Sequence, residues 1–143
     1  MDVSKRTQTW ITDVVRGIEE NTDAGTCARI LESCGRSCAP ASLIAKAKEI
    51  YKTSAGIPEF LSRLGEVFDA LQIADDAVYV VYPRCYCAQI EGVPTDKVPD
   101  AYCNCSVGWI REVFEQTLGR PIRVERVKTV VSGGDECRFR VIL

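Results

Sequence analysis

Histidine is absent from this 143-residue chain. No imidazole is on hand to serve as a base, so Ser-His and Cys-His nucleophile pairs and His-ligated zinc hydrolases are excluded. Any general base has to be a carboxylate such as Glu125 or a second thiolate. A long apolar run is missing too: no stretch approaches the roughly 20 residues of a membrane span. The first residues, Met1 to Arg6, turn amphipathic at once and offer no apolar signal core. Excess charge of either sign is likewise lacking. With 18 Lys and Arg against 20 Asp and Glu, the net charge of -2 gives no pull toward nucleic acid. Internal repeats, low-complexity tracts and linkers are not found. The expectation is one domain over residues 1–143, in the cytoplasm, with neither a membrane nor a nucleic acid as partner.

What the chain does have is cysteine, eight residues of it. In a reducing compartment these are expected as thiols or metal ligands in place of disulfides. Hydrophobic residues make up 46% and charged residues 27%, enough for a core without covalent staples. Helical spacing recurs from about Lys5 to Glu20 through Trp10, Ile11, Val14, Val15 and Ile18. A second helix from Asp23 places Cys27, Ile30, Leu31 and Cys34 on one face and is expected to end at Gly35. Two more follow, one through Leu43, Ala47 and Ile50, the other opened by Pro58 and running to about Leu71.

From Ala77 the run Val78-Tyr79-Val80-Val81-Tyr82 is β-rich and apolar on both faces, as a central strand requires. Residues Glu91 to Asp100 read as an exposed loop, and a helix from about Ser106 to Leu118 is closed by Gly119. Strands near Ile122 to Val131 and Glu136 to Ile142 make a hairpin around Ser132-Gly133-Gly134-Asp135. Pairing Val131 with Cys137, Thr129 with Phe139 and Val127 with Val141 gathers the apolar residues on one face, with a bulge near Glu125-Arg126. The fold class is therefore α+β: an N-terminal helical layer packed on an antiparallel sheet that ends in a C-terminal helix–strand–strand hairpin.

The chemistry centres on two C-x-C pairs, Cys85/Cys87 at a strand end and Cys103/Cys105 at a helix start. Four thiolates suit a tetrahedral zinc ion or an iron–sulfur cluster, and a helix N-terminus favours thiolate over thiol. The same four admit redox or covalent thiol chemistry, or plain packing as small apolar side chains. Cys27 and Cys34 are expected as packing residues. Cys137 shares the apolar hairpin face and reads equally as a ligand or as core, while Cys34-Gly35-Arg36-Ser37-Cys38 leaves a redox or metal role open. Arg126, Lys128, Arg138 and Arg140 are expected on a solvated face opposite Phe139, and Trp109 and Phe114 in a core stripe.

From Gly108-Trp109-Ile110, through Leu118-Gly119-Arg120-Pro121-Ile122-Arg123-Val124-Glu125, to Gly133-Gly134-Asp135-Glu136-Cys137-Arg138-Phe139-Arg140-Val141, the sequence resembles the 4-vinyl reductase-type domain. The resemblance implies binding of a small hydrophobic or tetrapyrrole-like molecule, and zinc held by Cys103, Glu125 and Cys137. Lys128 stands where the family's remaining cysteine ligand is expected, so completion would fall to Cys105, Cys85 or Cys87. With its Glu32-Ser33-Cys34-Gly35-Arg36-Ser37-Cys38 element, the whole chain also resembles a prokaryotic group of small cysteine-rich proteins related to L-2-amino-thiazoline-4-carboxylate hydrolase-like proteins. The expectations are a small-molecule- and zinc-binding module, a sensor or accessory domain. The alternatives are a small hydrolase or thiol enzyme acting on a thiol-containing or heterocyclic substrate, and an iron–sulfur protein. The oligomeric state stays open, a homodimer included.

Overall fold

The computed structural model of the chain describes residues 3–84 and 87–143. Four helices come first: α1 (Lys5–Asn21), α2 (Ala24–Cys38), α3 (Ala41–Lys52) and α4 (Ile57–Gly65). Two of them start on side-chain caps. The Ser4 hydroxyl accepts from the Thr7 amide, and the Asp23 carboxylate accepts from that of Thr26 at 2.8 Å, each satisfying an amide that the first turn leaves unpaired. Strands β1 (Leu71–Ala74) and β2 (Ala77–Tyr82) follow, then α5 (Asn104–Leu118), β3 (Arg123–Lys128) and β4 (Cys137–Ile142). The sheet runs β1-β2-β4-β3 with every neighbouring pair antiparallel, so the fold is α+β and β2 is a central strand, as its two apolar faces require.

The helical layer covers one face of this sheet. Ile50 of α3, Phe60 and Leu64 of α4, and Ile110 and Phe114 of α5 interlock with Val80 and Phe139, all at most 4% exposed. A second apolar cluster lies beside it, where Val15 of α1 and Cys27 and Leu31 of α2 meet Ile90, Val98, Tyr102 and Cys103. Most of Glu91 to Asp100 is exposed, as its glycine and prolines suggest, but Val98 and Pro99 are buried, and the longer segment 88–103 is anchored to the helices. It winds through three short 3-10 turns and buries its apolar residues against α1 and α2. Gln8 and Arg16 of α1 fasten it by donating to the carbonyls of Glu91 and Lys97, at 2.7 and 2.9 Å. No helix among the described residues is long and apolar enough to cross a membrane.

Three further expectations need correction. Helix α4 stops at Gly65, and Leu71 opens β1, which joins β2 through Asp75 and Asp76 in the left-handed region at φ 51 and 62. A two-residue hairpin turn demands such angles, and aspartate tolerates them better than most residues. Helix α2 does not end at Gly35 but continues to Cys38. The hairpin register also differs. Val124 pairs with Val141, Arg126 with Phe139 and Lys128 with Arg138, while the irregularity falls between Arg126 and Lys128 and leaves Val127 half exposed.

The reason for that register lies in residues 129–131. Thr129 is fully buried, accepts the Gly134 amide at 2.9 Å on its carbonyl, and shares a side-chain hydrogen bond with Ser132. Val130 and Val131 leave the strand and pack against the first and second apolar clusters. Burial in two clusters outweighs the pairing these valines would make on an edge strand.

Candidate functional site

The two helices that frame the site meet through glycine. A Cβ placed on Gly108 of α5 would lie 2.6 Å from the Cα and carbonyl carbon of Glu32, and one on Gly35 of α2 would lie 2.7 Å from the Cys105 carbonyl carbon. Only hydrogen fits at either position, so α2 and α5 touch backbone to backbone. Ion pairs clamp the crossing. Arg36 donates to Glu112 and Glu115 at 2.9 and 3.0 Å, and Arg111 donates to Glu32 at 2.9 Å, all partly buried.

Beside this crossing, between α2, the start of α5 and the ends of β2 and β4, opens a cavity of about 310 Å³. Its wall is mostly aromatic and sulfur. Tyr82 ends β2 and pairs in register with Cys137 at the start of β4. Cys103 is the N-cap residue of α5 and Cys105 lies in its first turn, Cys38 ends α2, and Cys87 follows the strand exit. Cys38, Cys87, Cys103, Cys105 and Cys137 all line the cavity. Trp109 and Phe139 close it, and the indole is itself backed by Phe68 at 5.8 Å between ring centroids. Volume and lining fall in the range of small-molecule pockets, which usually span about 300–1,000 Å³.

Electrostatics set the state of the thiols. Burial, reinforced by the nearby Cys38, Cys34 and Cys103, pushes the Cys105 thiol up to about 11. The helix start was expected to favour thiolate here. Instead Cys105 stays protonated at neutral pH, because an apolar wall and other sulfurs both disfavour negative charge. Burial, together with Cys87 and Cys137, likewise raises the Tyr82 hydroxyl well above the usual tyrosine range.

The sequence-derived site residues divide. Cys87, Cys103, Cys105 and Cys137 meet at the cavity, whereas Cys85 lies outside the described residues. Glu125 does not join them. It pairs with Arg140 in register and therefore points to the sheet face opposite Phe139 and Cys137, where it binds Arg123 at 2.9 Å. Lys128, at the expected third-ligand position, is held by Asp135 at 2.7 Å. Among the described residues no three Cys, Asp or Glu side chains are grouped so as to hold a metal ion, and Glu125 lies on the sheet face away from Cys137.

The loop is nevertheless pinned to the hairpin by protein alone. Asp100 accepts hydrogen bonds from both Ser132 and Arg126, which keep its carboxyl below the usual carboxylate range, Ser132 most strongly. Arg126 does not lie on the sheet face opposite Phe139, as its charge suggested. Its cross-strand pairing with Phe139 puts it on the same face, reaching Asp100.

One cysteine changed place relative to expectation. Cys27 packs in the second cluster, but Cys34 is exposed, since α2 presents Leu31 and Gly35 inward and turns position 34 away. Trp109 packs against the core cluster as expected and also lines the cavity, while Phe114 is fully buried. Tyr82 and the paired glycines had no sequence signal beyond glycine inside an otherwise helical pattern. No curated protein matches the sequence. Residues 1–143, however, match one family model throughout, and the chain belongs to that family, DUF6144, a family of unknown function.

Proposed function

We propose that this chain is a small-molecule-binding module, a sensor or accessory domain, whose ligand occupies the cysteine-lined cavity. One observation carries this reading: cysteines from four separated stretches of chain converge with Tyr82, Trp109 and Phe139 on a single apolar cavity. The lining calls for a flat, largely apolar molecule. The test is fluorescence titration with 1-anilinonaphthalene-8-sulfonate, a flat aromatic anion. In a Trp10→Phe background Trp109 becomes the sole indole reporter. Saturable one-to-one quenching is expected, weakened at least tenfold by Ser106→Phe, which fills the cavity from α5. Binding that ignores Ser106→Phe would place the probe elsewhere and end the reading.

A metal-bound form is the second reading, supported by Cys87, Cys103 and Cys137 lining one cavity. With Cys105, or with Cys85 two positions before Cys87, they would provide the four thiolates of a tetrahedral zinc ion, and Glu125 is not part of that set. Elemental analysis with an absorption spectrum of anaerobically purified protein decides it. One zinc per chain supports the reading, sulfur-to-iron absorption points to a cluster, and metal-free colourless protein removes both.

A further inference from the structure

The α2–α5 crossing places two thiols at one edge of the cavity that no zinc set uses together. Cys38 ends α2 and is exposed; Cys105 stands in the first turn of α5, half-buried; both line the cavity and both carry free thiols. Their backbones are held in fixed relation, because Gly35, three residues before Cys38, touches the Cys105 peptide, and the Arg36 and Arg111 ion pairs keep the helices from sliding. After burial, Cys38 is the strongest influence on the Cys105 thiol, which agrees with their nearness.

We propose that Cys38 and Cys105 form a dithiol site on the cavity rim that takes a thiophilic ligand able to bond two sulfurs through one atom, the chemical class of the trivalent arsenicals. The inference rests on the cavity being the ligand site and adds which atoms bond. The exposed Cys38 reacts first; the half-buried Cys105 closes the second bond from a position that the Gly35 contact holds beside it. With phenylarsine oxide the step balances without oxidant or reductant. Two S–H bonds and the As–O bonds break, two As–S bonds form, and the two protons leave with the oxygen as one water.

The experiment is intact-protein mass spectrometry after incubation with phenylarsine oxide and an excess of the monothiol 2-mercaptoethanol. A monothiol strips arsenic held by one sulfur but not by two. One adduct per chain is expected, with the mass of the reagent less one water, released by the dithiol 2,3-dimercaptopropanol. Cys38→Ala and Cys105→Ser should each lose it, and Cys34→Ala should keep it. An adduct that persists in the Cys38→Ala/Cys105→Ser double variant, or that needs Cys34 and not Cys105, overturns the proposal, as does no stable adduct on the folded wild-type chain. Thermal melts of each variant guard against misfolding as the cause of loss. Anilinonaphthalene sulfonate titration separates the two readings: saturable binding without arsenical capture sinks the dithiol site alone, and failure of both sinks the cavity as well.

Discussion

Replacing Gly108 by alanine tests the helix crossing on which the whole site is built. The added methyl would overlap the Glu32 carbonyl oxygen and sit 2.6 Å from that residue's carbonyl carbon and Cα, where ordinary contact begins near 3.4 Å, so α2 and α5 must part by more than about 1 Å. No flexible side chain can yield, because the obstacle is backbone. Overpacking of this kind costs about 1–3 kcal/mol, and the upper end applies where two rigid helices must move. Against it stands the better helix propensity of alanine, about 1 kcal/mol. The net loss is therefore about 2 kcal/mol, a fall in melting temperature of about 8 °C for a domain of this size.

Circular dichroism melts and urea titrations measure that loss directly. Gly17→Ala is the matched control, because that α1 glycine has nothing within 4 Å of its added methyl and should gain about 0.5–1 kcal/mol. A Gly108→Ala protein as stable as wild type, with Gly17→Ala behaving normally, would refute the backbone contact. Widening the crossing also shifts the wall that carries Cys105 and Trp109, so probe binding should weaken along with stability.

Other outcomes are accessible by the same methods. Asp23→Ala removes the α2 cap and should cost about 1 kcal/mol in urea unfolding. Asp100 has a depressed folded pKa, so its stabilising contribution is present above about pH 4 and disappears as pH falls through the lower folded value. Asp100→Asn should therefore be less stable than wild type at pH 7 and show a shallower loss on acidification; parallel acid limbs would contradict the loop-to-hairpin tie. Iodoacetamide labelling at pH 8, mapped by peptide mass, should modify Cys34 and Cys38 first and Cys105 far later, since only about one Cys105 in a thousand is thiolate there. Its rate should climb about tenfold per pH unit toward 11, and early labelling of Cys105 would show the thiol to be less buried than described.

The sequence patterns that proved readable are the ones in which local chemistry and tertiary burial agree. Helix α1 starts after Ser4 and β2 is central because the capping hydroxyl and the apolar run both say so. Where local and tertiary signals part, the pattern misleads. Leu71-Gln72-Ile73 continues the helical spacing of α4 yet forms β1, because the Asp75-Asp76 turn folds it back on β2. Thr129 to Val131 alternate like a strand yet leave it to join the two apolar clusters, which shifts the hairpin register from the one expected. Neither outcome depends on the residues' own propensities, so neither was legible before the clusters were seen.

The cavity itself rests on a signal that was present and misread. Gly35 looked like a helix terminator because glycine often follows the last turn. A glycine flanked by cysteines at one position before and three after has a different meaning inside a helix. Each residue turns about 100° around the axis, so when Gly35 faces a neighbouring helix, Cys38 falls about 60° to one side of the contact line and Cys34 about 100° round on that same side, farther out. Had a larger residue stood at position 35, α5 would be displaced outward and Cys105 carried away from Cys38. The spacing of Cys34, Gly35 and Cys38 is thus a statement about helix separation before it is one about metal ligation. Cys38 and Cys105 meet at the cavity because Gly35, where the helices touch, has no side chain.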